Sequence, residues 1–174
     1  YVNTNKDFES YVKGVFMEIK YIEYGTKEYE ENVKLRVDVL RRPLNCDMDE
    51  EERAFEKEGA PIVGLYDQGK MVGAGVMGFV DEEQIEIKYM AVSEEMRGKG
   101  VGNAIMDELE DYARRNHYKK VVLVARTGVL PFYEKRNYIT IGEAYEPGFV
   151  PVMHIRMEKE LKEKYGEVSG SDRF

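Results

Sequence analysis

The spacing of apolar residues in the first part of the chain changes from the period of a strand to that of a helix. Residues 15–24 carry β-branched and aromatic side chains at the density of a strand, and Gly25 stops the run. Thr26 then precedes a stretch with apolar residues at helical spacing, which Pro43 ends. This pattern predicts a strand followed by a capped helix.

A hairpin is predicted next, with strands at residues 62–66 and 70–80 around the turn Asp67-Gln68-Gly69. Its second strand contains Gly73-Ala74-Gly75-Val76-Met77-Gly78, which matches the GxGxxG pattern of dinucleotide-binding loops. Such a loop needs a strand before it and a helix after it. Here the glycines lie inside a strand and another strand follows, so close backbone packing or a β-bulge is the better interpretation.

The second half of the chain has the pattern of a parallel sheet. Residues 84–92 alternate in polarity, with Ile85, Ile87 and Tyr89 on the apolar face. A helix is predicted to follow, and residues 119–125 then form a continuous β-branched run, typical of a strand buried on both faces. Such a strand–helix–strand unit predicts a parallel strand pair. The remaining predicted elements are a short helix at 128–136 and strands at 138–145 and 152–157.

Composition and charge narrow the class of protein. An apolar fraction of 43% and a charged fraction of 34% over 174 residues are typical of one globular domain. The net charge of −8 argues against a nucleic-acid binder that relies on phosphate contacts. No apolar run approaches the length of a membrane span. The lone Cys46 cannot form an internal disulfide, so the expected location is cytoplasmic.

Residues 45–60 carry seven carboxylates and few apolar residues. Two interpretations are open: a solvated loop or short exposed helix, and an acidic rim that attracts a cationic substrate. The alternating ligands and turn glycine of a calcium-binding loop are missing, so an EF-hand is rejected and no metal site is predicted.

A glycine-rich turn precedes the helix of the second half, with the sequence Arg97-Gly98-Lys99-Gly100-Val101-Gly102. A helix start leaves backbone N–H groups without partners and carries about half a positive charge. Glycines let an anion approach those groups. Arg97 and Lys99 stand where Asp or Glu would be usual, which favours a negatively charged ligand. The turn lacks the GK[ST] ending of a Walker A loop, and it is predicted to bind phosphate.

The surroundings of this turn match a known family. Arg97, Gly100 and Gly102 occupy the fixed positions of the pattern R/Q-x-x-G-x-G/A. A strand ending in Met90-Ala91-Val92 precedes them, and residues 132–138 (FYEKRNY) stand in the place of F-Y-E-K-x-G-F. On these motifs the chain resembles the GNAT superfamily of acetyl-CoA-dependent N-acetyltransferases, and among them small members of unassigned substrate.

The resemblance implies an α/β fold. The expected GNAT architecture is a mixed, strongly twisted sheet of six to seven strands with about four helices on its two faces. A V-shaped splay is expected between the central parallel strands, here residues 84–92 and 119–125. The acetyltransferase domain would span residues 15–158, between an N-terminal arm at 1–14 and a charged C-terminal tail at 159–174.

The resemblance also assigns roles to single residues. Tyr133 occupies the position of the general acid beside the thioester sulfur, and Glu86 the position of a general base in some members. The pantetheine arm of coenzyme A would pair with the strand at Met90, Ala91 and Val92, like an added β-strand. Its pyrophosphate would lie on backbone N–H groups of Arg97, Gly98, Lys99, Gly100, Val101 and Gly102.

Each assignment has a structural alternative. Tyr133 could be a core tyrosine, and Glu86 could face solvent or pair with a neighbouring side chain on the sheet. Tyr89 and His154 are further candidates, although a structural hydrogen bond is the expected role of His154.

Two departures from the family pattern are visible. Arg126 and Thr127 stand near the position where many members have an Asn that contacts the coenzyme, so that contact is not assigned here. Asn137 and Tyr138 replace the usual Gly-Phe. The second change is conservative, because Asn accepts the same backbone angles as Gly and Tyr keeps the aromatic ring.

The implied function is direct transfer of an acetyl group from acetyl-CoA, a cosubstrate, to a primary amine of a small molecule or peptide. No nucleic acid, membrane or metal is expected to take part, and a homodimer, common in the family, is compatible with it. One alternative is a non-catalytic acyl-CoA-binding sensor, and another is a nucleotide-binding protein that uses the same glycine turn. The carboxylates of residues 45–60 slightly favour a cationic amine as the expected acceptor.

Overall fold

Eight strands hydrogen-bond into one mixed sheet within residues 8–12 and 15–162, which are the residues that the computed structural model describes. In chain order they are β1 (Phe8–Val12), β2 (Val15–Tyr21), β3 (Ile62–Asp67), β4 (Lys70–Phe79), β5 (Gln84–Val92), β6 (Lys120–Arg126), β7 (Ile139–Tyr145) and β8 (His154–Glu160). The α-helices of the described residues are α1 (Lys27–Leu40), α2 (Val101–Arg115) and α3 (Leu130–Glu134). The order across the sheet is β1-β2-β3-β4-β5-β6-β8-β7, in which β5 and β6 run parallel.

The predicted α/β fold class is confirmed, with small differences in the element counts. The sheet has eight strands instead of six to seven, because residues 8–12 of the predicted N-terminal arm form β1 and pair with β2. The sequence FESYV is short and weakly patterned, so a strand could not be predicted there without knowing that it pairs with β2. Within the described residues the α-helices number three instead of about four, since residues 54–58 form a 3-10 helix. Residues 1–7, 13–14 and 163–174 of the predicted arm and tail lie outside the described residues.

Local signals determine where several elements begin and end. The Thr26 side-chain oxygen accepts a hydrogen bond from the Tyr29 N–H at 3.2 Å and so caps α1. Gly69, with φ of +82°, closes the hairpin between β3 and β4. Asn137 adopts φ of +68° after α3, which confirms that it replaces glycine without changing the turn.

Helices α1 and α2 cover opposite faces of the sheet, as predicted. Beneath α2 lies the larger core, which includes Ile85, Ile87 and Ile105. Beneath α1 lies a smaller core that includes Tyr29 and Tyr89. No helix among residues 8–12 and 15–162 has both the length and the apolar character needed to cross a membrane.

Two glycines of β4 allow α2 to lie directly on the sheet. A Cβ atom on Gly73 would lie 2.7 Å from Ile105 Cδ1 and 2.8 Å from Val101 Cγ1. A Cβ atom on Gly75 would lie 2.6 Å from Ile105 Cγ2. These distances are well below the carbon–carbon contact of about 3.5–4.0 Å. The interpretation of the GxGxxG pattern as close packing is confirmed.

A β-bulge at Lys88 reverses the side-chain alternation within β5. Val76 of β4 pairs with Tyr89, but the next residue, Met77, pairs with Ile87, so Lys88 is an extra residue. Tyr89 consequently packs in the core beneath α1, on the opposite face from Ile87. The prediction that these two residues share a face is wrong, because strict alternation assumes a strand without an inserted residue.

Strands β5 and β6 separate toward their C-terminal ends. Parallel pairing joins residues 84–87 to residues 120–123 and stops there. Among the described residues, 88–92 of β5 therefore have no strand partner on the side of β6, which confirms the predicted splay.

Candidate active site

A cavity of about 980 Å³ lies where β5 and β6 separate. Its wall comes from the end of α1, β5, the start of α2, the end of β6 with α3, and the segment between β7 and β8. This volume is at the upper end of the range of about 300–1,000 Å³ found for small-molecule sites. The cavity can therefore hold a ligand of considerable size.

The start of α2 offers unpaired backbone N–H groups at one end of the cavity. The Ala104 N–H donates to the Gly100 carbonyl oxygen, so residues 101–103 have no helical acceptor. Within the described part of the chain no side chain caps this end, and the first turn of α2 holds no carboxylate. Gly98 and Gly100 adopt left-handed backbone, with φ of +75° and +84°. This arrangement fits a phosphate group.

The free edge of β5 forms the next part of the wall. Met90, Ala91 and Val92 line the cavity, and the side chains of Met90 and Val92 pack against the core beneath α2. Because β6 has moved away, the backbone groups on this edge are available to an extended ligand that carries amides of its own.

Tyr133 lies in an apolar part of the wall. Its side chain is 8% exposed, and its ring meets those of Phe132 and Tyr138 edge-on at centroid distances of 5.0 and 5.8 Å. Burial raises the pKa of Tyr133 to about 12. None of the described residues hydrogen-bonds to its hydroxyl, so this group is a neutral donor available to a ligand.

Glu86 lines the cavity from β5. One of its carboxylate oxygens lies 3.5 Å from Lys88 Nζ, and its side chain is one-quarter exposed. This ion pair is long, and no other described side chain pairs with the carboxylate. Glu86 therefore has lone pairs free to accept a proton from a ligand.

Comparison with known proteins identifies the family of this chain. The sequence profile of the acetyltransferase (GNAT) family matches residues 27–138. The chain belongs to this family. The uncharacterized N-acetyltransferase YjcF of Bacillus subtilis (strain 168) is 33% identical over 109 residues, which are 63% of this chain and 76% of the relative.

Solved structures of other proteins share the fold. A GNAT family acetyltransferase from Elizabethkingia anophelis with acetyl-CoA bound has a TM-score of 0.64 and 22% identity, over 83% of this chain and 98% of the other. ElaA of Escherichia coli has a TM-score of 0.70 and 25% identity, over 83% and 99%. Because the chain belongs to the acetyltransferase (GNAT) family, it is an acyltransferase enzyme with acetyl-CoA as cosubstrate, and the sensor alternative is not favoured.

The GNAT cavity brings together nearly all of the predicted site residues. On its wall lie Glu86, Met90, Ala91, Val92, Arg97, Gly98, Gly100, Val101, Gly102 and Tyr133. Lys99 is not on the wall and is exposed to solvent. His154 also lines the cavity, and its Nδ1 lies 2.8 Å from the Val152 carbonyl oxygen, which confirms the structural hydrogen bond expected for it.

Sequence reasoning missed a network around Glu52. Its carboxylate pairs bidentately with the Arg41 guanidinium and accepts a hydrogen bond from the Tyr89 hydroxyl at 3.0 Å. Burial and the Glu52 carboxylate raise the pKa of Tyr89 above its ordinary value. Glu52 is one of seven carboxylates in residues 45–60, so its spacing in the sequence could not single it out. The network joins the acidic segment to β5 and α1.

A second carboxylate of the acidic segment is fully buried. Glu56 pairs bidentately with Arg36 at 2.8 and 3.1 Å, and both side chains are inaccessible to solvent. The Arg36 guanidinium lies 4.8 Å from the centroid of the Tyr89 ring. The interpretation of residues 45–60 as a solvated segment therefore fails at Glu56, because a single charged residue gives no sequence signal of a buried partner.

Proposed function

We propose that this GNAT enzyme acetylates a primary amine of a small molecule or peptide by direct transfer from acetyl-CoA. One observation carries the proposal: Glu86, Tyr133 and the uncapped start of α2 line the same cavity. A proton acceptor, a proton donor and an anion site on one cavity are the groups that transfer from a coenzyme A thioester to an amine requires.

The proposed coenzyme site follows from the two backbone features of the cavity. When bound, acetyl-CoA supplies an acetyl group on a thioester whose sulfur can leave as a thiolate. Met90, Ala91 and Val92 would pair with its pantetheine amides along the free edge of β5. Its pyrophosphate would accept hydrogen bonds from the turn formed by Arg97, Gly98, Lys99, Gly100, Val101 and Gly102. The Lys99 N–H already donates to the Met96 carbonyl oxygen at 3.4 Å, and its side chain is exposed outside the cavity wall, so the unpaired N–H groups at the start of α2 are the main proposed donors.

Glu86 is proposed as the general base. A lysine-like amine has a pKa near 10.4, so freeing its lone pair at pH 7 costs about 4–5 kcal/mol. The Glu86 carboxylate would accept the ammonium proton, either directly or through one water molecule. Its single long ion pair with Lys88, at 3.5 Å, leaves it freer for this task than the fully engaged Glu52.

Tyr133 is proposed to stabilise the leaving sulfur. A thiol has an ordinary pKa of about 8.5, whereas burial raises the pKa of Tyr133 to about 12. Complete transfer of the tyrosine proton to a thiolate would cost about 5 kcal/mol at these pKa values. The hydroxyl would therefore act mainly by donating a hydrogen bond to the sulfur as negative charge develops there.

Two further expectations concern the whole protein. The cytoplasmic location stays a prediction from the lone Cys46. The homodimer gains support from β7, an edge strand whose residues are all exposed, including Ile139 at 60% and Ile141 at 40%. Exposed apolar edge strands are places where two chains can pair.

Release of the coenzyme A thiol tests the proposal. The enzyme is incubated with acetyl-CoA and with amines, amino acids, aminoglycosides or peptides, and the acetylated product is identified by mass spectrometry. We expect at least one amine to be acetylated. The Glu86→Gln variant should lose about 10²–10⁴-fold in kcat/KM at neutral pH, and its rate should rise with pH until the amine itself deprotonates near pH 10.

Glu143→Gln is the matched control, because this exposed carboxylate of β7 lies outside the cavity. It should leave the pH–rate profile in place. Coenzyme binding without thiol release for any amine would contradict the proposed amine acceptor. An unchanged profile in Glu86→Gln would remove Glu86 from the mechanism.

A further inference from the structure

Arg126 lies where β5 and β6 separate, and its side chain reaches from β6 to α1. The residue ends β6, and its guanidinium donates a hydrogen bond to the Leu40 carbonyl oxygen at the C-terminal end of α1. It also lines the cavity. An arginine carries five N–H donors, and this is the one hydrogen bond of the Arg126 side chain to the described residues. The remaining donors are available to a ligand in the cavity.

The charge of Arg126 has no carboxylate partner among the described residues. The other cations of this part of the wall are paired: Arg41 with Glu52, and Lys88 with Glu86. The end of α1 offers Arg126 the equivalent of about half a negative charge, so compensation is partial. Burial and the neighbouring Arg41 both lower the pKa of Arg126, in keeping with a cation that has no carboxylate partner among the described residues. The wall here carries surplus positive charge.

The carboxylates of the acidic segment do not supply the missing partner. Glu56 is paired with Arg36 in the interior, and Glu52 with Arg41. Other carboxylates of the segment line an adjoining shallow pocket of about 320 Å³, which shares Arg41, Glu52 and Phe149 with the main cavity but not Arg126. They are Asp47, Asp49 and Glu51. The acidic residues 45–60 led us to expect a slight preference for cationic acceptors, and this expectation does not hold for the part of the cavity next to Arg126.

The position of Arg126 separates it from the phosphate end of the cavity. Its guanidinium contacts α1, which covers one face of the sheet, whereas the glycine turn opens α2 on the other face. A negative group that meets Arg126 would thus belong to the ligand entering from the side of α1. Phe149 lies on the same wall and is 65% exposed. The centroid of its ring is 5.6 Å from the Arg41 guanidinium carbon.

We propose that Arg126 forms an acceptor subsite for a carboxylate, so that the enzyme prefers amines that carry a carboxylate, such as amino acids. The planar guanidinium fork matches the two oxygens of a carboxylate, which makes arginine the side chain suited to this contact. This inference rests on the proposed amine acetylation and names the class of acceptor for it.

Matched acceptors test the subsite in the unmodified enzyme. Each set contains an amino acid, its amide and the amine left by removing the carboxylate, for example lysine, lysinamide and cadaverine. Rates of thiol release are compared at equal concentrations of unprotonated amine. We expect kcat/KM for the amino acid to exceed that for the other two by about tenfold or more, the factor of one charge-assisted hydrogen bond.

Arg126→Gln, with Arg156→Gln as the control, assigns the preference to this side chain. Arg156 is an exposed arginine of β8 that does not line the cavity. In Arg126→Gln the preference for the amino acid should fall by about tenfold or more, so that the three acceptors of a set react at similar rates, with KM for acetyl-CoA retained. In Arg156→Gln the preference should stay.

Three outcomes would overturn the subsite. Equal rates for the three members of every set would reject the carboxylate subsite but would not contradict amine acetylation. This comparison uses only the unmodified enzyme, so it does not depend on the folding of a variant. A rise in KM for acetyl-CoA in Arg126→Gln, with the acceptor preference intact, would place the residue at the coenzyme instead. Absence of thiol release with every acceptor would overturn the proposed function and the subsite together.

Discussion

At the scale of single residues, burial decides what Tyr133 can do. The sequence motif supplies the tyrosine and the neighbouring rings of Phe132 and Tyr138, but only the packing of the motif against the rest of the core buries Tyr133. Those surroundings raise the pKa of Tyr133 to about 12. The side chain therefore stays neutral throughout the physiological range and can donate a hydrogen bond, although it is a weaker acid than an exposed tyrosine.

Replacement of Tyr133 by Phe removes the hydroxyl while keeping the ring. We expect kcat to fall by about 10²–10³-fold, the usual effect of removing one hydrogen-bond donor to developing negative charge. KM for acetyl-CoA should be retained, because the interaction with sulfur strengthens only as the thiolate forms. Steady-state kinetics with an active acceptor measure both parameters.

Tyr138→Phe is the matched control for that variant. The Tyr138 ring packs against Tyr133, but its hydroxyl is buried without a hydrogen-bond partner among the described residues. An unpaired buried hydroxyl costs about 1–3 kcal/mol, so the variant should be as stable as the parent protein or more stable, with kcat retained. Equal losses of kcat in the two variants would show that the ring packing, not the Tyr133 hydroxyl, supports the rate.

At the scale of elements, the packing of α2 on β4 positions the turn that we propose as the coenzyme site. Gly73 and Gly75 bring the helix against the sheet, and the same helix begins at the glycine turn. The height of α2 above the sheet therefore sets where its unpaired N–H groups lie relative to β5.

Gly75→Ala should disturb both stability and coenzyme binding. The new methyl group would lie 2.6 Å from Ile105 Cγ2 and 3.1 Å from Leu109 Cδ1, so α2 must shift. Overpacking of this kind costs about 1–3 kcal/mol of the free energy of unfolding. The shift of α2 should also raise KM for acetyl-CoA. Urea denaturation and steady-state kinetics check the two effects.

Gly128→Ala provides the comparison, because a Cβ atom there would meet nothing within 4 Å. This variant should be neutral or slightly stabilising, since alanine lowers the entropy of the unfolded chain. If both alanine variants unfold at the same urea concentration, the close packing of α2 on β4 does not limit stability.

At the scale of the whole molecule, buried tyrosines make stability sensitive to alkali. Burial is the largest cause of a raised pKa in Tyr89, Tyr133 and Tyr138. In the unfolded chain these groups ionise near pH 10, while the folded state holds its protons to higher pH. The resulting stabilisation is fully present below about pH 10 and is lost as pH rises through the raised values.

The free energy of unfolding should therefore decline above about pH 10, and Tyr133 alone should account for about 2–3 kcal/mol of the loss by the time pH exceeds about 12. Urea denaturation at a series of alkaline pH values measures the decline. Tyrosinate absorbance, recorded in the same samples, should show a late-titrating class in the folded protein. Ionisation of all tyrosines in one step near pH 10, with the fold intact, would contradict this prediction.

Much of the architecture was predictable because short-range patterns encode it. The bounds predicted for residues 84–92 are those observed for β5, and Thr26, Asn137 and the hairpin turn behave as their residue types require. Motif spacing also identified Glu86 and Tyr133 as candidate site residues, and both line the same cavity. These features depend on backbone periods, turn chemistry and residues close together in the chain.

Other parts of the site depend on contacts that no local pattern contains. The bulge at Lys88 follows from the pairing of β4 with β5, and it moves Tyr89 to the face of α1. Arg126 meets Leu40 across 86 positions of the chain. The pattern of residue types thus specifies the elements and the glycine turn proposed for the coenzyme, since each side chain there acts on its own backbone. The unpaired positive charge of Arg126 on the cavity wall depends on the packing of distant elements. Whether a cation has a carboxylate partner is decided only when the chain folds.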